Sequence, residues 1–462
     1  MLFVVLFALA LTSDSLAEKA DQAKQAMARQ DFERAVALYR DLSRAAPGDV
    51  AVQQNLGIAL YSAGRYAESV RTLDQVLRAD PNNKPALLFS GISWNRLGEP
   101  RRAVPPLKKF LAETGETAAA RLELGHAHFE LTELNAAVED FSKASALEPS
   151  NPASWKGLGV TYWALAKNNF DSIDNKAPFS PEWCALMARF ELQKEHPKRA
   201  FQLYRQAASK SPNLPGVHAG LAEVYRRTGH ADWAAVEEDR ERSAQIHGGS
   251  EITRLYLEAI DDQRRAAEAM DSLEKLPAGR EIHELLGFAY RAQSRDAESA
   301  AEFQRALLLE PNNARLKEEF ATSLWLSGDC SRAEPILEML LQANPNSPQL
   351  NHVLGDCLVR DKRPQEAIAY LKTALKFDPA FLPAHASLGR AYAHLDRYSE
   401  AIPHLKQAAA LQDKSILFQL AQAYKKIGDE ASGTRYLQEY RRYTSATEAF
   451  SRLPDNAEIT RP

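Results

Sequence analysis

Cysteine is scarce: three residues, Cys184, Cys330 and Cys357, in a chain of 462. They form no CxxC and leave one over from any pairing scheme, so neither a disulfide scaffold nor a cysteine zinc site holds this fold together. Charge of one sign is missing as well, with 57 Lys and Arg against 61 Asp and Glu and a formal net charge of -4. That balance excludes holding nucleic acid or an anionic membrane by bulk charge. Catalytic signatures are also absent. There is no GxxxxGK(S/T), no HExxH and no HPD tripeptide, and Gly157-Leu158-Gly159 fails as a dinucleotide loop because Tyr162 takes the last glycine place. His126 and His128 stand two apart, about 200° around a helix, and cannot face one metal. In His283-Glu284 the second histidine of a zinc motif is replaced by Gly287. The expectation is a chain that is not an enzyme, with no metal and no cofactor.

What is present suits a folded chain, 45% hydrophobic and 26% charged. Leu2 to Leu11 is an unbroken apolar run, half the length needed to span a bilayer as a helix (about 20 residues), and Ser15-Leu16-Ala17 follows with small residues at the two positions that a signal peptidase reads. Residues 1–17 therefore read as a signal peptide with a weak basic start, and the mature chain as beginning at Glu18, exported and periplasmic. No later run reaches about 18 apolar residues, so no membrane span is expected in the mature chain.

A small residue recurs at Ala23, Gly57, Gly91, Gly125 and Gly159, and again at Gly287, Ala321, Gly355 and Gly389, each step being 34 residues. A second series runs Ala35, Ser69, Ala103, Ala137 and then Ser299, Ala333, Ala367, Ala401, with prolines at Pro47, Pro81, Pro149, Pro212, Pro311, Pro345 and Pro379. Trp155, Leu158, Gly159 and Tyr162 fall on one stripe of a first helix, and Ala137, Phe141 and Ala144 on one stripe of a second. Small residues let the two backbones approach, and stacking neighbouring pairs buries the remaining faces.

The pattern W-x2-L-G-x2-Y, then A-x3-F, then P resembles the tetratricopeptide repeat family, over residues 18 to 440. The resemblance implies an all-α, right-handed α-solenoid of about twelve to thirteen stacked antiparallel helix pairs, with a concave face made by the first helices. Two shortened units break the period, and Phe170-Asp171-Ser172-Ile173 and Met270-Asp271-Ser272-Leu273 read as truncated second helices. The expected organisation is an N-terminal lobe over 18–246, a glycine hinge over 247–250, a C-terminal lobe over 251–440, and a capping helix with a loose polar tail over 441–462. Cys330 and Cys357 fall in adjacent repeats, where pairing is open in an oxidising compartment.

In that family, partner segments bind the concave groove through first-helix positions 2, 5, 9, 12 and 13, which here bring Tyr61, Leu88, Ile92, Asn95, His126, Phe129, Lys156 and Trp163, with Phe89 beside them. The second lobe brings Phe288, Arg291, Trp325 and Arg390. Lys156 matches part of a chaperone-tail clamp, but Val160 replaces its asparagine. The implied function is a protein-binding scaffold of the cell envelope. The alternative is a regulatory or assembly subunit docking on an envelope enzyme or secretion complex. The implied partner is a protein or peptide rather than nucleic acid.

Overall fold

The structure is a computed structural model that describes residues 16–243, 250–277, 279–411, 413–451 and 458–462. Every described element is helical, and the architecture is that of an all-α solenoid of stacked helix pairs. The signal-peptide core and the hinge residues 247–249 lie outside the described residues, while Leu16 and Ala17 open the first helix.

One contact sets the spacing of six of the eleven described pairs. A Cβ built on Gly287 would stand 2.7 Å from the ring of Phe303, on Gly125 2.7 Å from Phe141, and on Gly389 2.6 Å from Leu405. The large apolar residue sixteen places on fills the space that the missing side chain leaves. The second small series closes the pair from the other side. Ser69 Oγ donates to the Gly57 carbonyl and Ser299 Oγ to the Gly287 carbonyl, both at 2.8 Å and both buried.

The two helices of a pair are joined by a tight turn containing one left-handed residue. Gln30, Gly64, Gly98, Thr132, Glu195, Gly229, Ser294, Gly328, Lys362, Asp396 and Gly428 all hold φ between 53° and 85° at this place. Only five of these are glycine, so the repeat imposes the turn even on residues that adopt it at a cost. The next first helix is then started by a side-chain cap, as Asp49, Asn83, Thr117, Asn313 and Ser347 show.

A further staple joins successive repeats. Trp155 Nε1 donates to the Pro149 carbonyl at 2.8 Å, Asn351 Nδ2 to Pro345 at 2.9 Å, His218 Nε2 to Pro212 at 2.8 Å and His385 Nε2 to Pro379 at 3.0 Å. Each proline carbonyl left at a chain turn is thereby satisfied from the helix that follows. Cys330 and Cys357 are disulfide-bonded, with Cα atoms 5.3 Å apart, and join the second helix of one repeat to the first helix of the next.

The number of pairs departs from expectation. The described chain has eleven pairs and two long single helices, Pro152–Lys176 and Glu251–Glu274. Phe170–Ile173 and Met270–Leu273 are not truncated second helices but the closing turns of these two continuous helices. The reason is local: neither stretch contains glycine or proline between its first turn and its end beyond Gly157 and Gly159, so nothing breaks the helix where a new pair was expected.

The chain forms two compact units, one of residues up to Leu165 with Arg264–Leu276, the other of Ala166–Gln263 with Pro277–Pro462. These limits differ from the expected lobes, because each long helix ends in a different unit from the one in which it starts. In the first unit Ala269 packs with Phe141 and Leu158. In the second, Asp174 accepts from Trp183 Nε1 at 2.6 Å and the buried Tyr256 donates to the Pro215 carbonyl at 2.6 Å. The tail is also not wholly loose, since residues 458–462 dock on the second unit.

Two measurements test this account of the pair. Gly287→Leu should lower stability by about 1 to 3 kcal/mol in thermal melts, while Leu308→Ala, on an exposed site, should change it by under about 0.5 kcal/mol. Thr132→Gly should raise stability by about 1 kcal/mol, by relieving a β-branched residue held at φ 59°.

Candidate protein-binding groove

The thirteen expected groove residues are shared between the two units, from Tyr61 to Trp163 in the first and from Phe288 to Arg390 in the second. Ile92 is 8% exposed and belongs to the packing between helices, which corrects its assignment to the groove surface. The other twelve are half-buried.

In the first unit they form an apolar and aromatic strip. The Tyr61 and Phe89 rings of successive first helices lie 5.1 Å apart, and Tyr61 also meets Tyr66 at 5.8 Å. Phe89 leans on the small core of Leu73, Val76 and Ala86, whereas Leu88 leans on that of Leu107 and Leu124. Phe129 and Leu122 rest on Phe141 and Leu158. Lys156, Val160 and Trp163 continue the strip with half-exposed side chains.

The polar members do a different job. Asn95 Nδ2 donates to both the Glu123 carbonyl and its carboxylate at 2.9 Å, and Arg96 joins the same carboxylate at 2.9 Å. Burial pushes the Glu123 carboxyl up, but His126, Arg96 and Asn95 outweigh it and hold it down at about 2. His126 sits edge-on to Phe141 at 5.4 Å, and burial lowers its pKa against the pull of Glu123. In the second unit Arg291 reaches across one repeat in the same way, to the Glu319 carboxylate at 2.7 Å, the Glu319 carbonyl at 2.9 Å and Ser323 Oγ at 2.8 Å. Its guanidinium also lies 5.1 Å from the Phe303 ring, which Phe288 meets edge-on.

Asp356 is the densest of these clasps. Its buried carboxylate accepts from Trp325 Nε1 at 2.8 Å, Ser387 Oγ at 2.7 Å, Arg390 at 2.5 Å and Arg360 at 2.9 Å. Burial alone would raise its pKa, yet Arg390 and the hydrogen bonds keep it below the ordinary carboxylate value. His352 stands beside it, edge-on to Trp325 and Phe381, 3.4 Å from Ser387 Oγ, and burial drives its pKa down to about 4 despite Asp356. Three of the expected groove residues also keep one buried polar atom without a hydrogen bond: Asn95 Oδ1, Arg291 Nε and Arg390 Nε.

The expected groove positions thus include residues, Asn95, Arg291, Trp325 and Arg390, whose polar groups clasp one first helix to the next rather than standing open. The sequence reading missed Glu123, Glu319 and Ser323, which complete the clasps. The usable signal was spacing: Asn95 to Glu123 and Arg291 to Glu319 are both 28 residues apart, six short of the 34-residue repeat. Among the described residues no group of three or more His, Cys, Asp or Glu is placed to hold a metal ion, and no helix is long and apolar enough to cross a membrane.

The low pKa of His352 gives a pH dependence of defined sign. Unfolding lets this imidazole take up a proton below its ordinary value of 6.5, while the folded chain does not until about 4, so stability falls as pH drops across that window. Asp356 adds to the loss at still lower pH, since its folded pKa is depressed. Urea unfolding at pH 7 and 4.5 should show a loss of about 2 kcal/mol, and His352→Gln should make that slope shallower.

Family comparisons agree with this geometry. Models described as tetratricopeptide repeat match residues 26–88 and 118–151, and one described as anaphase-promoting complex, cyclosome, subunit 3 matches residues 327–408. Anaphase-promoting complex subunit 3 of Schizosaccharomyces pombe is 22% identical over 331 residues, 68% of this chain and 49% of the relative. The mouse Superkiller complex protein 3 is 22% identical over 370 residues, 74% of this chain and 21% of the relative. The chain thus spans about half the length, or less, of these relatives. A solved tetratricopeptide repeat protein from Parabacteroides merdae is 16% identical, aligning 67% of this chain and 99% of that one at a TM-score of 0.35. Proteins of this kind mediate protein–protein interaction. With the 34-residue period, the contact of a glycine with a leucine or phenylalanine sixteen residues on in six of the pairs, and two family models matched within it, the chain belongs to the tetratricopeptide repeat family.

Proposed function

We propose that this chain is a non-enzymatic scaffold of the cell envelope that binds an extended segment of a partner protein along the first helices of its first compact unit. The observation that carries the reading is the half-buried strip of Tyr61, Leu88, Phe89, Phe129 and Trp163. Aromatic side chains left partly open in this way supply contact area at little entropic cost and are the usual anchors of binding energy. The polar groove residues of the second unit are, by contrast, already engaged with each other.

Export is supported by the apolar run before Ser15-Leu16-Ala17 and by the Cys330–Cys357 bond, which persists best in an oxidising compartment. A second reading is an assembly or regulatory subunit of a larger machine. It is favoured by the relatives' own names, two of which are those of complex components.

Affinity capture from the native host's envelope fraction tests the proposal, with residues 18–462 as one bait and Tyr61→Ser, Phe129→Ser, Trp163→Ser as the other. The expected result is a partner retained by the first and weakened at least about tenfold by the second, with circular dichroism showing both folded. Equal retention would move the binding surface elsewhere, and capture from the cytosolic fraction alone would remove the envelope assignment.

A further inference from the structure

The last described residues of the chain do not hang free. Ile459 packs against the core cluster of the second unit, to which Phe201 and Tyr225 belong and on which Trp233 also packs, and is itself half-buried. The Thr460 carbonyl accepts a hydrogen bond from Tyr225 Oη at 2.7 Å. The Arg461 guanidinium lies 5.7 Å from the Trp233 ring. Three successive residues are thus held by three different kinds of contact: an apolar side chain on the core, a backbone carbonyl by a hydroxyl, and a cation by an aromatic ring.

The receiving surface is an aromatic cradle. Phe201 meets Tyr225 at 5.8 Å, Tyr225 meets Trp233 edge-on at 5.6 Å, and His230 stacks on Trp233 at 4.1 Å. Phe201 comes from the helix Pro197–Lys210, Tyr225 from the helix Val217–Arg227, Trp233 from the helix Ala231–Ser243 and His230 from the turn between the last two. None of them occupies the first-helix groove positions, so this site is separate from the strip argued above and stands or falls independently of it.

We infer that this cradle is a second peptide-binding site, closed by the chain's own Ile459-Thr460-Arg461, which a partner segment of the same chemistry displaces. That segment is extended, with an aliphatic side chain two residues before an arginine. The grip of the cradle on Thr460 is through its backbone carbonyl, and the Thr460 side chain is exposed, so the middle residue is free to vary. The contact area of three residues is small, and a tethered segment holds such a site by its high effective concentration rather than by intrinsic affinity. A free competitor therefore meets an apparent affinity reduced by the fraction of chains whose cradle stands open.

The test uses the full chain and a fluorescent peptide of residues 455–462, DNAEITRP. In anisotropy titrations, the full chain carrying Ile459→Asp and Arg461→Glu, whose own tail no longer seats, should bind the peptide at least about tenfold more tightly than the unaltered chain. Adding Trp233→Ala to that variant should abolish binding, and a peptide with its own arginine changed to alanine should bind more weakly. Circular dichroism of each variant keeps the comparison on folded protein. Equal affinity for the unaltered and tail-altered chains, or no binding to a folded tail-altered chain, would overturn the proposal. So would light scattering that showed concentration-dependent dimers dissolved by the tail substitutions, because the tail would then belong to a second copy.

Discussion

The fit of one large apolar side chain against one absent side chain governs this molecule. Where Gly287 faces Phe303, or Gly389 faces Leu405, a Cβ would sit under 3 Å from the opposing atoms, so the helices can approach only because it is missing. That approach fixes the distance between the two helices, which in turn brings Ser299 within reach of the Gly287 carbonyl and sets the turn that forces a left-handed residue between them. Repetition of this contact, with alanine in place of glycine in the remaining pairs, places one first helix against the next.

The polar residues between repeats follow a second logic. Asp356 and Glu123 are buried carboxylates, and Glu319 a half-buried one, each gripped by groups from a neighbouring repeat; for the buried two the arrangement costs desolvation and is recovered only with near-complete hydrogen bonding. Such clasps define the register of one repeat on the next, since a helix slipped by one turn would leave a buried carboxylate unpaired. Clasps of this kind occur in both units, and beside that of Asn95 and Glu123 the first helices of the first unit also keep the half-buried apolar residues Tyr61, Leu88, Phe89, Phe129 and Trp163.

Much of this was legible in the sequence, and for a physical reason: the period, the small residues and the prolines are local features that close packing repeats identically. The long helices were not. Phe170 to Ile173 looked like a shortened second helix because the 34-residue frame was extended across a stretch whose residues simply continue helical. Ile92 was read as open because it shares a position with Ile58, His126 and Val160, which are half-buried, yet its own neighbours cover it. The docked tail had no periodicity to betray it, for recognition there runs through one side chain, one carbonyl and one cation. The Cys330–Cys357 pair depended on a Cα separation that spacing alone does not give.

The first compact unit needs Arg264–Leu276, and between its two stretches of chain come residues 166–263 of the other unit. During synthesis the first four pairs emerge early, but the helix that packs Ala269 beside Phe141 and Leu158 is made only after that intervening stretch has left the ribosome. The apolar faces of Phe141 and Leu158 therefore wait uncovered while the chain grows, which makes this the interval in which the nascent protein has most to gain from a chaperone.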